Sequence, residues 1–232
     1  MKYTHIFFDL DHTLWDFDQN SKEALGEIFD ELKLQAILGC TIENFLEVYH
    51  HINLGYWDAY KNGSIKRESL RNGRFIDTLN HFEHNNTNLA MQISEDYIKR
   101  SPYKKYLFDG AISILTHLKN KGHQLHIITN GFNEVQFIKL NESKLVSFFT
   151  TVTTSEEAGF NKPHPEIFSF ALQKAGAKKN ESVMIGDSYE ADIEGAINFG
   201  IDAIWFNTLN IEIKTNHNVT MIRKLSEIEN LV

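Results

Sequence analysis

The sequence predicts an α/β protein: a mostly parallel, doubly wound sheet with a helical domain inserted after its first strand. Three observations predict it. From residue 103 onward, short apolar runs alternate with segments of helical period, the pattern of strands joined by crossover helices. Residues 16–102 break that alternation and carry helical periodicity alone. Polar residues fall at the ends of successive apolar runs, and parallel strands gather such ends on one edge.

Each element has its own reason. Residues 4–10 read as a buried strand because Ile6, Phe7, Phe8 and Leu10 leave almost no polar face. Further strands are expected at 124–130, 148–155, 182–186 and 203–207. Between them, 110–121 has apolar residues at Ile112, Leu115 and Leu118 and stops at Gly122. Residues 132–140 follow as a helix. Residues 165–175 open on Pro165 and end at Gly176, the usual asymmetry of helix termini. Residues 191–199 end at Gly200. The expected architecture is a Rossmann-like core of residues 1–15 and 103–232, with a helical cap over 16–102. The cap stripes are Ala24, Leu25, Ile28, Phe29 and Leu32, then Phe45, Leu46 and Tyr49, then Phe75, Ile76 and Leu79, then Leu89, Ile93, Tyr97 and Ile98. Tyr49, Tyr56, Trp57 and Tyr60 fall at rough helical spacing and read as packing within that bundle. An insertion leaving from the carboxyl edge of the sheet would overhang a site there as a lid.

Composition narrows the function. The net charge of −8 argues against a nucleic-acid polymer as partner. Cys40 is the single cysteine, so no internal disulfide can form. With no cleavable apolar leader and no bilayer-length apolar run, a cytoplasmic protein with no membrane partner is expected. Among the 11 histidines no His-Glu-x-x-His occurs, and His81 and His84 have no evident third ligand. Glycine-rich loops of the P-loop or dinucleotide type are absent.

Four polar signals remain, each at or just after an apolar run. They are Asp9 and Asp11, then Thr129-Asn130-Gly131, then Lys162 between Asn161 and Pro163, then Gly186-Asp187-Ser188 with Asp192 five residues beyond Asp187. Buried carboxylates at that density need a compensating charge. A hard cation with oxygen ligands, Mg²⁺, suits them. Pro163 and Pro165 disfavour helix at the residues before them, so Lys162 projects from an extended segment. The set suits phosphoryl transfer to a carboxylate. Asp9 would attack phosphorus, and Asp11 would protonate the leaving oxygen and then take a proton from water. Lys162, with Thr129 and neighbouring backbone N–H groups, would hold the phosphoryl oxygens.

The order Asp-x-Asp-x-Thr, Thr-Asn-Gly, Lys-Pro and Gly-Asp-Ser-x-x-x-Asp resembles the haloacid dehalogenase superfamily across essentially the whole chain, and the insert resembles its type-one cap. The resemblance implies Asp9 as nucleophile and Asp11 as acid/base. It implies Thr129 and Asn130 at the phosphate and Lys162 as the charge-stabilising lysine. Mg²⁺ would be held by Asp9, Asp187 and the backbone carbonyl of Asp11, with Asp192 supporting the ligands from behind. The true dehalogenases lack the second aspartate, because a departing halide needs no proton, so Asp11 favours a phosphatase. The text from Phe8 to Phe17, with Ile128–Phe132 and Gly159–Pro163, is similar to the bacterial pyrimidine nucleotidases. A small phosphorylated substrate, a nucleoside 5'-monophosphate first of all, is therefore expected. Phosphoglycolate or a sugar phosphate, a phosphomutase reaction, and a phospho-accepting receiver module are the competing readings. Against the receiver stand the length of the chain, the helical insert and Asp11 itself.

Overall fold

From its N-terminus the chain forms β1 (His5–Phe8) and then five helices, α1 (Phe17–Glu31), α2 (Leu34–Leu38), α3 (Ile42–Lys61), α4 (Arg67–His81) and α5 (Thr87–Arg100). Helices and strands then alternate: α6 (Ala111–Asn120), β2 (Gln124–Thr129), α7 (Asn133–Glu142), β3 (Thr151–Thr154), α8 (Ser155–Ala158), α9 (Pro165–Ala175), β4 (Ser182–Gly186), α10 (Gly195–Phe199), β5 (Asp202–Phe206) and β6 (Thr220–Ile222). This computed structural model describes residues 2–213 and 219–232. It divides into two units, Met1–Phe17 with Lys105–Val232, and Asp18–Lys104.

In the first unit the strands form one sheet of order β3-β2-β1-β4-β5-β6, parallel at every pairing. Side chains alternate across it, as strand geometry requires. Ile6 and Phe8 enter one core layer with Ile114, Leu115, Ile127, Ile185 and Leu225. Phe7 enters the other with Ile128, Ile167, Phe168 and Met184. Both faces are covered, which is why β1 reads as an unbroken apolar run. The chain steps outward from β1 to β3, then returns past β1 to β4. That reversal is a topological switch point, where doubly wound sheets open a crevice at the carboxyl ends of their strands.

Several elements differ from the sequence expectation. β1 stops at Phe8 rather than residue 10, because the Leu10 carbonyl accepts from Leu14 N at 3.0 Å and Trp15 N at 2.9 Å and closes a tight loop. His12 turns that loop with φ 62. β3 begins at Thr151, after a short 3₁₀ turn over Val146–Phe148. The short edge strand β6 was not expected from the sequence. Residues 191–199 are not one helix: a wide π-helical turn, Tyr189–Glu194, leads into α10. Ile112 faces solvent, and α6 buries Ala111, Ile114, Leu115 and Leu118 instead.

The second unit packs α1, α3, α4 and α5 around Leu25, Ile28, Phe29, Phe45, Tyr49, Phe75, Leu79, Ile93 and Tyr97, all from the apolar stripes. Thr41 caps α3 by accepting from Asn44 N, and Asn86 caps α5 by accepting from Leu89 N. Of the four aromatics read as bundle packing, only Tyr49 is core; Tyr56, Trp57 and Tyr60 are half-buried. Tyr56 sits at the helix surface, where its hydroxyl donates to Asp77 at 2.7 Å. Among the described residues no helix is long and apolar enough to cross a membrane.

Candidate active site

Lys162 organises the carboxyl edge of the sheet. Its side chain is 2% exposed, and Nζ donates to Asp9 Oδ1 at 2.6 Å, Asp192 Oδ1 at 2.6 Å and the Ile128 carbonyl at 2.7 Å. Three acceptors match the three protons of an ammonium. Burial works against that charge, but Asp192 and Asp9 outweigh it and hold the lysine protonated well above its ordinary range. Asn130 fixes the backbone that carries it. The Asn130 Oδ1 accepts from Lys162 N at 2.7 Å, and its Nδ2 donates to Lys162 O at 3.0 Å. The side chain of Asn130, expected at the phosphate, is therefore engaged with the lysine segment.

Asp9 leaves β1 with its N–H on the Ile185 carbonyl at 2.9 Å, which locks it to β4. Asp187 follows β4 and accepts from Thr13 Oγ1 at 3.1 Å, while its carbonyl accepts from Trp205 Nε1 at 2.8 Å. Asp192 arrives on the π-helical turn, whose extra width carries its carboxylate back under Gly186. Its Oδ2 accepts from Ser188 N at 3.0 Å. A Cβ at Gly186 would lie 2.3 Å from that oxygen, so the approach requires glycine.

Asp9, Asp187 and Asp192 present ligand oxygens within 4.8 Å of one another. Burial first, then Asp192 and Asp187, push the Asp9 carboxyl well above the usual carboxylate range, against the pull of Lys162. Burial and Asp192 likewise push Asp187 up to about 7. Three carboxylates face one ammonium, and the imbalance is what a bound cation would relieve. An all-oxygen donor set of this kind fits a hard divalent ion such as Mg²⁺. Both Asp192 oxygens already have partners, on Lys162 and Ser188, which leaves Asp9 and Asp187 with open lone pairs.

Thr129 ends β2. Its Oγ1 accepts from Gly131 N at 3.1 Å and from Gln136 Nε2 at 2.8 Å. With two acceptor sites filled, the hydroxyl proton is left to donate, the right polarity for a phosphoryl oxygen. Asp11 stands apart from the carboxylate cluster. Its Oδ2 accepts from Gln136 Nε2 at 2.7 Å and its Oδ1 from Lys139 Nζ at 2.5 Å. Sequence reasoning missed Gln136, Lys139 and the bond from Thr13. No sequence signal marks the first two: α7 buries Gln136 and Lys139 while Phe137 between them is 42% exposed, an inversion of ordinary helical amphipathicity that only the packing of α7 reveals.

The profile of haloacid dehalogenase-like hydrolases matches residues 6–206. The pyrimidine 5'-nucleotidase YjjG of Escherichia coli is 34% identical over 208 residues, covering 89% of this chain and 87% of that protein. The pyrimidine 5'-nucleotidase PynA of Streptococcus pneumoniae is 32% identical, covering 93% and 88%. Among solved structures, the HAD-hydrolase YfnB of Bacillus subtilis, crystallised with magnesium, superposes with a TM-score of 0.88 at 28% identity, covering 100% of this chain and 99% of that one. On its sheet topology, its strand-end carboxylates and these matches, the chain belongs to the haloacid dehalogenase-like hydrolase family, on its phosphatase side.

Proposed function

We propose that the protein is a Mg²⁺-dependent phosphomonoesterase that works through an aspartyl phosphate on Asp9, with nucleoside 5'-monophosphates, pyrimidine ones first, as substrates. The observation that carries the chemistry is the pairing of a buried, lysine-held carboxylate at Asp9 with a separate, partly exposed carboxylate at Asp11. One can be a nucleophile while the other moves a proton. The substrate class rests on the two nucleotidase relatives, which cover nine-tenths of the chain or close to it.

The steps follow from the contacts. An Asp9 oxygen attacks phosphorus as the bond from phosphorus to the ester oxygen breaks, and the Asp11 carboxyl gives its proton to that oxygen. Lys162 favours the ionised form of Asp9 against its burial, and the free Thr129 proton bonds a phosphoryl oxygen. In the second half, water attacks the phosphoryl group, Asp11 takes the water's proton, and the Asp9 carboxylate leaves. Asp9, Asp187 and the Asp11 carbonyl would hold Mg²⁺, which supplies positive charge to offset the phosphoryl oxygens. Asp192 would hold Lys162 and the Ser188 turn in place.

The test is a panel of phosphate esters assayed with MgCl₂ and ranked by kcat/KM. It includes dUMP, dTMP, UMP, halogenated pyrimidine nucleotides, phosphoglycolate, a triose phosphate and hexose phosphates. Pyrimidine nucleotides should lead. No multiple turnover on any ester would remove the phosphatase reading, and a sugar or triose phosphate leading the ranking would remove the substrate assignment.

A further inference from the structure

We infer that Gln136 and Lys139 are positioning residues for Asp11, fixing its carboxylate in the orientation that proton transfer needs. The inference rests on the phosphatase reading and deepens it.

The two side chains lie three residues apart on α7 and so share one face. Gln136 is fully buried, and the Lys139 side chain is 5% exposed. Between them they engage both oxygens of Asp11, at 2.7 Å and 2.5 Å, across 125 and 128 residues of sequence. Asp11 sits in the loop after β1, where its backbone bridges Trp15, and its side chain is 23% exposed. Two donors on opposite oxygens set the plane of the carboxylate. Each oxygen keeps a further lone pair for the travelling proton. The same Gln136 nitrogen also bonds Thr129 Oγ1 at 2.8 Å, so one amide sets the spacing between the acid/base and the hydroxyl aimed at the phosphoryl group.

Packing alone does not account for this arrangement. A buried ion pair is often no better than a well-packed apolar pair. The Lys139 ammonium lies over the Trp15 ring at 4.2 Å and the Phe17 ring at 5.6 Å, cation–π contacts that help to hold the charge beside Asp11. The Gln136 Oε1 is buried without a partner, a cost of about 1–3 kcal/mol. That unpartnered oxygen accompanies the Gln136 donor to Asp11. Gly131 protects the arrangement, because a Cβ there would fall 1.9 Å from Gln136 Nε2.

The test compares Lys139→Met, Lys139→Arg and Gln136→Met, each alone and over Asp11→Asn, on a nucleoside monophosphate and on p-nitrophenyl phosphate. The nitrophenolate leaves without a proton, so it isolates phosphorylation of Asp9 from acid catalysis. Lys139→Met should lower kcat on the nucleotide by about 10–100-fold, a part of the roughly 100–10,000-fold that acid–base catalysis supplies, with KM little changed. On p-nitrophenyl phosphate it should keep a full-amplitude burst and slow the turnover that follows, because water activation still needs Asp11. Lys139→Arg should recover most of the loss. In the Asp11→Asn background Lys139→Met should have no further effect. A merely structural role would shrink the burst and slow both esters alike. Losses that multiply in the Asp11→Asn background would overturn the inference while leaving the phosphatase reading intact. Absence of wild-type turnover would instead overturn that reading. Gln136→Met, which also releases Thr129, should slow the burst as well, and Lys139→Leu decides the matter if Lys139→Met does not fold.

Discussion

Replacing Lys162 by methionine removes the one ammonium that holds Asp9 and Asp192 together. Methionine nearly matches the lysine stem in volume, so the loss is of charge and three bonds, at 2.6, 2.6 and 2.7 Å, rather than of packing. Removing one partner of a buried ion pair costs about 3–5 kcal/mol when the remaining charge stays. Here it need not stay. The Asp9 carboxyl already lies well above its ordinary range through burial, and loss of Lys162 raises it further. A carboxyl raised by folding gives stability that is present below its unfolded pKa and is lost as pH rises through its folded pKa. The variant should therefore be about 3–5 kcal/mol less stable than wild type near pH 8, with the gap narrowing by about 1.4 kcal/mol per pH unit as the orphaned Asp9 carboxyl protonates. Urea unfolding in EDTA measures it. A Trp57→Phe background leaves Trp15 and Trp205 to report the sheet unit alone, which matters in a chain of two units. A gap independent of pH, or one below about 1 kcal/mol at the alkaline end, would refute the charge accounting.

Asp187, pushed up to about 7, should make the metal-free protein lose stability as pH rises from the ordinary carboxylate range through neutrality. Added Mg²⁺ should raise Tm more above that range than below it, and Asp187→Asn should abolish the difference; an equal Mg²⁺ shift in the variant would contradict this. Gly186→Ala should displace Asp192 and with it Lys162, lowering kcat by about 100-fold or more, as loss of an electrostatic catalytic element does; near-normal kcat would show that Asp192 has room to move. His126 is fully enclosed, bonded to His5 Nδ1 at 3.0 Å and to Thr151 Oγ1 at 2.8 Å, and burial lowers it from 6.5 to about 4. Its neutral form gives stability that is present above 6.5 and lost as pH falls to about 4, about 3 kcal/mol in all. His126→Phe should flatten the acid limb of the stability curve by up to one proton, and an unchanged slope would assign that limb elsewhere.

The sheet was readable because both its faces are buried, so β1 and β2 appear as plain apolar runs. The strand ends were readable for a related reason: parallel pairing leaves one edge for Asp9, Thr129 and Asp187 to share. What escaped the sequence depends on tertiary partners. β6 is three residues with Thr220 and Met221 exposed, so it carries no alternation to read. The π-helical turn exists where Asp192 bonds Lys162 and Ser188, and a helix-period pattern cannot announce one extra residue. Lys139 carries no mark in the sequence, because its partner Asp11 lies 128 positions away.

The double bond from Asn130 to the backbone of Lys162 has a consequence for how long the protein lasts. Asn130 precedes Gly131, the pairing in which an asparagine side chain most readily cyclises onto the next backbone nitrogen and sheds ammonia. In the folded chain both reacting groups are occupied: the amide holds Lys162, and Gly131 N donates to Thr129. Ageing at this position then waits on local opening of the loop. The carboxylate left behind has no donor for the Lys162 carbonyl, so ageing at this pair would loosen the segment that carries the buried Lys162 ammonium.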